Sequence, residues 1–168
     1  PAGIFAALEL GEKTDLKILL LEKGQDISSR RCPLKTSGTC ARCHPCSIVS
    51  GWGGAGAFSD GKLTLTTEFG GWLDEYMDRR MVAHLIKYVD NVYLRFGAPE
   101  HVFGTDKDKI KEIQRQAARA DLNLVPARIR HLGTEKCFAI LRDMRHFIGE
   151  RVDVRPRTPV RTVLVEDN

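Results

Sequence analysis

The first candidate site is the glycine-rich stretch 50–63, which holds five glycines. Each glycine costs a helix roughly 1 kcal/mol relative to alanine, so the stretch is a poor helix former. It does allow backbone N–H groups to come close to a bound group. We therefore expect a cofactor loop in which glycine amides face an anion and Ser59, Asp60 and Lys62 add directional polar contacts. A surface loop without a ligand is the alternative.

A second candidate site lies just before the glycines, where four of the chain's five cysteines occur at the spacing C-x7-C-x2-C-x2-C. This spacing is typical of metal ligands. Zinc would take four thiolates, or three with His44, and an iron–sulfur cluster would take the same thiolates and relay electrons. A redox dithiol of Cys43 and Cys46 and unligated thiols stay open as alternatives. The metal-ligand candidates are Cys32, Cys40, Cys43 and Cys46.

The segments upstream of both sites have the pattern of half a dinucleotide-binding unit. Residues 1–11 are alanine-rich and apolar nearly all round, which predicts a buried helix. Residues 16–21 form an almost continuous apolar run, which predicts a parallel strand covered on both faces. This run ends at Glu22. A helix, a turn, an apolar strand and an acid at the strand's carboxyl end make up the second half of a βαβ unit.

The spacing of Gly3 and Glu22 supports this interpretation. In the G-x-G-x-x-G fingerprint the third glycine lies inside the helix, and an acid about twenty residues further on binds the ribose hydroxyls. Glu22 lies nineteen residues after Gly3. Pro1-Ala2-Gly3 therefore matches the end of such a fingerprint, whose first strand and first two glycines would precede this chain.

Further elements follow from periodicity and capping signals. We expect Thr105 to cap a helix that begins near Lys107. His131 is a candidate catalytic base, because a neutral imidazole accepts a proton near pH 7. Cys137 is predicted to be a buried core thiol. The predicted elements are a strand over 63–67, an amphipathic helix or a helix pair over 72–95, helices over 107–120 and 135–149, an extended segment over 122–131, and a strand, a turn and an alternating strand over 152–166.

The composition of the 168 residues, with a mean hydropathy of −0.25, is typical of a soluble globular domain. No run approaches the ~18 apolar residues of a membrane span, and no export signal is visible, so we expect a cytoplasmic protein. The net charge is +4, but no basic stripe alternates with aromatic residues, which argues against nucleic-acid binding. The chain starts at Pro1 and ends on an unpaired strand, so we expect a fragment truncated at both ends.

Together these motifs resemble the poorly characterised FAD-dependent dehydrogenases of the glutathione-reductase-like flavoprotein superfamily. The segments that carry the resemblance are Pro1-Ala2-Gly3, 20–24, the cysteine cluster 32–46, 51–63 and 130–134. The resemblance implies an α/β fold: a Rossmann-like, three-layer FAD/NAD(P)-binding domain with a helical insertion. It implies a partial FAD-binding βαβ unit with both candidate sites over 1–71, the insertion over 72–121, and a return to the FAD-binding domain over 122–168.

The resemblance also implies an oxidoreductase that passes a hydride or electrons between FAD and a small-molecule substrate or electron acceptor, with NAD(P)H as a candidate donor. Glu22 would bind the adenosine ribose, the helix around Gly3 would lie under the pyrophosphate, and a backbone group of Val160 would contact the adenine. His131 would contact the flavin or substrate, or act as a base. The implied FAD-binding residues are Pro1, Ala2, Gly3, Glu22, Lys23, Gly53, Gly54, Ala55, Gly56, Phe58, Ser59, Asp60, Gly61, Lys62 and Val160.

Two other functions stay open: a zinc-stapled binding module without enzymatic activity, and a flavin-linked dithiol/disulfide reductase. The oligomeric state is open as well. Because a mid-sheet strand and most of the glycine turn would be missing, we expect these 168 residues alone to bind FAD weakly and a chain extended upstream to bind it well.

Overall fold

A computed structural model describes residues 2–165. No helix within this range is both long and apolar enough to cross a membrane. Short 3-10 turns cover Ile27–Ser29, Gly54–Phe58 and Leu73–Glu75. The helices and strands are α1 (Ala2–Lys13), β1 (Ile18–Leu21), α2 (Leu34–Ser37), β2 (Lys62–Thr64), α3 (Arg79–Arg95), α4 (Lys107–Ala118), β3 (Ile129–His131), α5 (Thr134–Gly149) and β4 (Val152–Arg155).

The chain divides into two compact units. The first comprises Pro1–Ser59 with Cys137–Asn168, and the second comprises Asp60–Lys136. The segment predicted as a helical insertion, 72–121, lies inside the second unit. That unit also contains β2 and β3, so it is larger than the predicted insertion.

The first unit is built on a parallel pair of strands. β1 pairs with β4, Ile18 opposite Val152 and Leu21 opposite Arg155. Parallel strands need a long crossover connection, which is the connection of α/β folds. Helices α1 and α5 supply most of the buried apolar side chains of this unit: Ile4, Ala7, Leu8, Cys137, Ile140, Leu141, Met144 and Ile148. The burial of Cys137 confirms its predicted place in the core.

The sheets are smaller than the resemblance implies. Within the described residues both are two-stranded, so the three-layer Rossmann-like domain remains a prediction. β1 is not covered on both faces, because Leu19 is 52% exposed and Leu21 is 37% exposed. The apolar composition of β1 correctly predicted a parallel strand. The prediction that both faces of this strand are covered is wrong within residues 2–165.

The second unit joins an antiparallel strand pair to a helix. β2 pairs with β3, Lys62 opposite His131. The buried Arg130 of β3 donates to both carboxylate oxygens of Asp90 in α3, at 2.6 and 2.8 Å, and also to the carbonyl of Pro99. The hydrogen bond with Asp90 raises the pKa of Arg130, so this guanidinium is a permanent charge and a fixed link between sheet and helix.

Two sequence predictions are wrong in detail. Asp106, not Thr105, caps α4, since its carboxylate accepts from the backbone N–H groups of Asp108 and Lys109. Residues 160–165 form no strand, although they alternate, and Val165 is 83% exposed. An alternating segment becomes a strand when it finds a pairing partner, and no strand of the described residues pairs with it. Pro1 and the predicted turn at 166–168 lie outside the described residues.

Candidate functional site

A cavity of about 300 Å³ in the first unit is lined by three segments that are distant in sequence. The first turn of α1 contributes Gly3 and Ile4. The carboxyl end of β1 and the residues after it contribute 20–23, and the glycine-rich stretch with its preceding residue contributes 49–54. The structure thus brings together the helix start, the acid and the glycines that the sequence predicted to share one cofactor. We call this space the glycine cavity.

The backbone around Glu22 is fixed by β4 and by the turn that follows it. The N–H of Glu22 donates to the carbonyl of Arg155 at 3.0 Å, which extends the parallel ladder by one residue. In return, Thr158 donates to the carbonyl of Glu22 at 2.9 Å and Arg157 donates to that of Gly24 at 2.7 Å. The acid therefore lies at a defined position just beyond the strand.

The Glu22 carboxylate joins the strand end to the glycine-rich stretch. Its Oε1 accepts from the backbone N–H of Gly24 at 2.6 Å and from that of Gly51 at 3.0 Å. Its Oε2 accepts no hydrogen bond from residues 2–165. One oxygen thus orients the side chain, and the other stays available to a ligand in the cavity that Glu22 lines.

Several glycines of this region are required by contacts within the protein. A Cβ at Gly24 would lie 2.4 Å from the backbone N of Gly51. Gly53, at a φ of +83°, would bring a Cβ within 2.7 Å of Leu141 Cδ1. Close approach of the backbone to a ligand therefore explains only some of the glycines in this region. At these two positions glycine allows the loop to pack against its own neighbours.

Arg30 holds the loop together, and sequence reasoning missed it. Its side chain is buried and donates five hydrogen bonds of 2.7–3.0 Å, and its guanidinium lies 4.8 Å from the centre of the Phe58 ring. Burial lowers the pKa of Arg30, and the charges of Glu22 and Cys46 oppose this effect. No sequence signal separates it from the adjacent, exposed Arg31. The acceptors are the carbonyls of Ser47, Ile48, Trp52 and Gly54.

Trp52 fixes the same loop to α5. Its backbone N–H donates to the carbonyl of Gln25 at 3.0 Å, and its indole Nε1 donates to the carbonyl of Leu141 at 2.8 Å. The guanidinium of Arg145 lies 5.5 Å from the ring centre and is paired with Asp26. A buried tryptophan with its N–H satisfied is a rigid support, so this wall of the glycine cavity is preorganised.

The structure places the predicted FAD-binding residues in different surroundings. Gly3, Glu22, Lys23, Gly53 and Gly54 line the glycine cavity. Sequence reasoning left out Ser50, Gly51 and Trp52, which also line it and directly precede the predicted residues. Pro1 lies outside the described residues. The others do not line the cavity: Ala2, Ala55, Gly56, Phe58, Ser59, Asp60, Gly61, Lys62 and Val160.

Three of these residues, Asp60, Gly61 and Lys62, belong to the second unit together with His131. Lys62 pairs with Asp60 at 2.8 Å, and its hydrogen bond lowers the pKa of that carboxyl group, an effect to which His131 adds. His131 itself is exposed on β3 opposite Lys62. Its predicted role as a catalytic base stays a prediction.

The four clustered cysteines are not gathered into a metal centre in the structure. Among residues 2–165 no three histidine, cysteine or carboxylate side chains come together as metal ligands, and all five thiols are free. Cys32 and Cys43 are half-buried, whereas Cys40 and Cys46 are exposed. Ligation by zinc or an iron–sulfur cluster therefore stays a prediction from spacing alone.

Cys46 is expected to be the more reactive of the two exposed thiols. Interaction of its sulfur with the backbone N–H groups of Val49 and Ile48 lowers the pKa of Cys46, and the charge of Arg30 adds to this effect. A lowered pKa raises the thiolate fraction at neutral pH, and the thiolate is the nucleophile. We expect iodoacetamide at pH 7 to alkylate Cys46 faster than Cys40, as measured by peptide mass spectrometry over time. Equal rates would contradict this expectation.

No family model matches the chain. An uncharacterized protein of Clostridium beijerinckii is 34% identical to it over 122 residues, a match that covers 71% of this chain and 21% of the relative. The chain therefore spans about a fifth of the length of the relative that it matches. The similarity shows that related sequence occurs within a longer protein, and it assigns no ligand or reaction.

Proposed function

We propose that this chain is part of an FAD-dependent oxidoreductase and that the glycine cavity binds the ribose and pyrophosphate of the adenosine half of FAD. The observation that carries the proposal is the convergence of a helix start, an acid at the end of a parallel strand and a glycine loop on one cavity. In dinucleotide-binding folds the helix start binds the pyrophosphate and the acid binds the ribose, and the resemblance to FAD-dependent dehydrogenases implies that the glycine loop lies against the pyrophosphate. The parallel β1–β4 pair supports the Rossmann-like fold that the proposal requires.

The residues of the glycine cavity fit this ligand. Gly3 keeps the first turn of α1 close to β1, since a Cβ there would lie 3.3 Å from Leu20 Cδ1. The N–H groups of a helix start favour an anion such as pyrophosphate. In this proposal Glu22 Oε2 accepts a hydrogen bond from a ribose hydroxyl. Ligand pockets range from roughly 300 to 1,000 Å³, so a cavity of about 300 Å³ fits part of FAD and leaves the flavin ring outside it.

Bound FAD would supply hydride or electron-pair transfer, and the protein would supply position and electrostatics. We propose a small-molecule substrate or electron acceptor, with NAD(P)H as a candidate donor. The five free cysteines suit a reducing compartment, so we also propose that the enzyme is cytoplasmic.

Glu22→Gln tests the proposal with little structural change. The amide oxygen of glutamine can still accept from Gly24 and Gly51, whereas the acceptor at Oε2 is replaced by an NH₂ donor. A hydrogen bond to a charged group contributes about 1.5–3 kcal/mol, so we expect the Kd for FAD to rise roughly 10- to 100-fold. The measurement is a fluorescence titration of FAD into the protein, purified with any sequence that naturally flanks it.

Glu112→Gln is the matched control, because it removes the same charge from the exposed surface of α4. We expect it to leave both the Kd for FAD and the melting temperature unchanged. Identical FAD affinity in the wild type, Glu22→Gln and Glu112→Gln would show that Glu22 does not bind the cofactor, and the proposed site would then be wrong.

A further inference from the structure

A second cavity of about 650 Å³ in the first unit has a different chemical character. It is lined by residues that follow β1, by the cysteine-rich segment and by residues that follow β4. We call it the basic cavity because its wall includes Lys23, Arg31, His44 and Arg157. Three prolines, Pro33, Pro45 and Pro159, add apolar surface beside these cations.

The basic cavity has an excess of positive charge. Among the residues that the structure describes, no aspartate or glutamate lines it. None of its four basic side chains forms an ion pair within residues 2–165. In the same unit, Arg145 pairs with Asp26 and Arg155 pairs with Asp153. Three positively charged side chains around the basic cavity favour the binding of an anion in it.

The backbone keeps Arg157 at this cavity. Its φ is +57°, a left-handed conformation that is uncommon for residues other than glycine, asparagine and aspartate. Its N–H donates to the carbonyl of Gly24 at 2.7 Å, which holds the turn against another wall of the same cavity. A strained residue that the surrounding structure fixes in place is often a functional one.

We propose that the basic cavity binds a phosphorylated small molecule at a site that adjoins the glycine cavity, with which it shares Lys23. A phosphate monoester carries about −1.5 to −2 charges at neutral pH, which matches Lys23, Arg31 and Arg157 better than a single carboxylate does. Guanidinium groups bind phosphate through paired hydrogen bonds. The prolines would contact the apolar body of the ligand. This proposal does not depend on the function proposed for the glycine cavity.

Phenyl phosphate is a suitable probe, because it joins a dianion to an apolar ring, and benzoate is the singly charged comparison. By isothermal titration calorimetry we expect saturable binding of phenyl phosphate that weakens as salt is raised, and at least tenfold weaker binding of benzoate. Arg31→Gln and Arg157→Asn should each raise the Kd for phenyl phosphate about tenfold or more. Asparagine tolerates the backbone conformation at 157, and both side chains are exposed, so both variants should fold normally.

Two controls separate this site from general electrostatics and from the FAD site. Arg115→Gln removes one positive charge from α4 in the second unit and should leave phenyl phosphate binding unchanged. Glu22→Gln should weaken FAD binding and not phenyl phosphate binding. Absence of saturable binding, or equal effects of Arg31→Gln and Arg115→Gln, would each overturn the proposal that the basic cavity binds phosphate.

Discussion

Replacing Arg30 with methionine is expected to lower the free energy of unfolding by about 3 kcal/mol or more. Four backbone carbonyls would lose their charged donors, and a hydrogen bond to a charged group is worth roughly 1.5–3 kcal/mol, part of which water would restore. Methionine fills a similar volume, so the loss reflects the hydrogen bonds more than a void. The measurement is urea-induced unfolding followed by tryptophan fluorescence, which reports on the buried Trp52.

The adjacent arginine provides the control for this experiment. Arg31→Met removes the same side chain from an exposed position, and we expect its effect on unfolding to stay within about 0.5 kcal/mol. Arg30→Lys should fall between the two, because one ammonium group cannot reproduce the fork of guanidinium donors. Equal destabilisation by Arg30→Met and Arg31→Met would mean that Arg30 does not hold the loop.

Gly24→Ala is the second substitution with a large expected effect. The new Cβ would lie 2.4 Å from the N of Gly51 and 2.5 Å from the carbonyl carbon of Ser50. Both are backbone atoms, so the loop must move as a whole and the hydrogen bond from Gly51 to Glu22 would be lost. Overpacking of this kind costs typically 1–3 kcal/mol, and we expect about 3 kcal/mol here, together with a weaker affinity for FAD.

Gly56→Ala makes the same chemical change in the same loop. No atom lies within 4 Å of a Cβ at this position, and its backbone is not left-handed. We therefore expect a change in the free energy of unfolding within about 0.5 kcal/mol. Urea unfolding of Gly24→Ala and Gly56→Ala, measured in parallel, checks both expected changes in the free energy of unfolding. If Gly56→Ala destabilised the protein as much as Gly24→Ala, the packing of the loop would differ from the one described.

The local parts of the fold could be predicted from the sequence. Helix α5 follows from apolar periodicity, and α1 and β1 follow from their largely apolar composition. The meeting of Gly3 with Glu22 follows from the spacing of a nucleotide-binding fingerprint. The cap of α4 shows the limit of this reasoning. Thr105 and Asp106 are both good caps, and the choice between them depends on where the first turn begins, which sequence signals fix only to one or two residues.

Long-range contacts could not be predicted in this way. The role of Arg30 depends on carbonyls 17 to 24 residues further along the chain, and arginine is mostly an exposed residue. Likewise, the composition of the loop shows that it is rich in glycine but not that Gly53 packs against Leu141. The alternation over 160–166 indicated a strand, although pairing with another strand, and not the pattern alone, decides whether one forms.

The most direct test of the proposed function is the near-ultraviolet and visible absorption spectrum of the protein, purified with any sequence that naturally flanks it. We expect the two absorption bands of oxidised flavin and the release of about one FAD per chain on denaturation. A colourless protein that takes up no FAD on reconstitution, although it is folded, would contradict the proposal that the glycine cavity binds this cofactor.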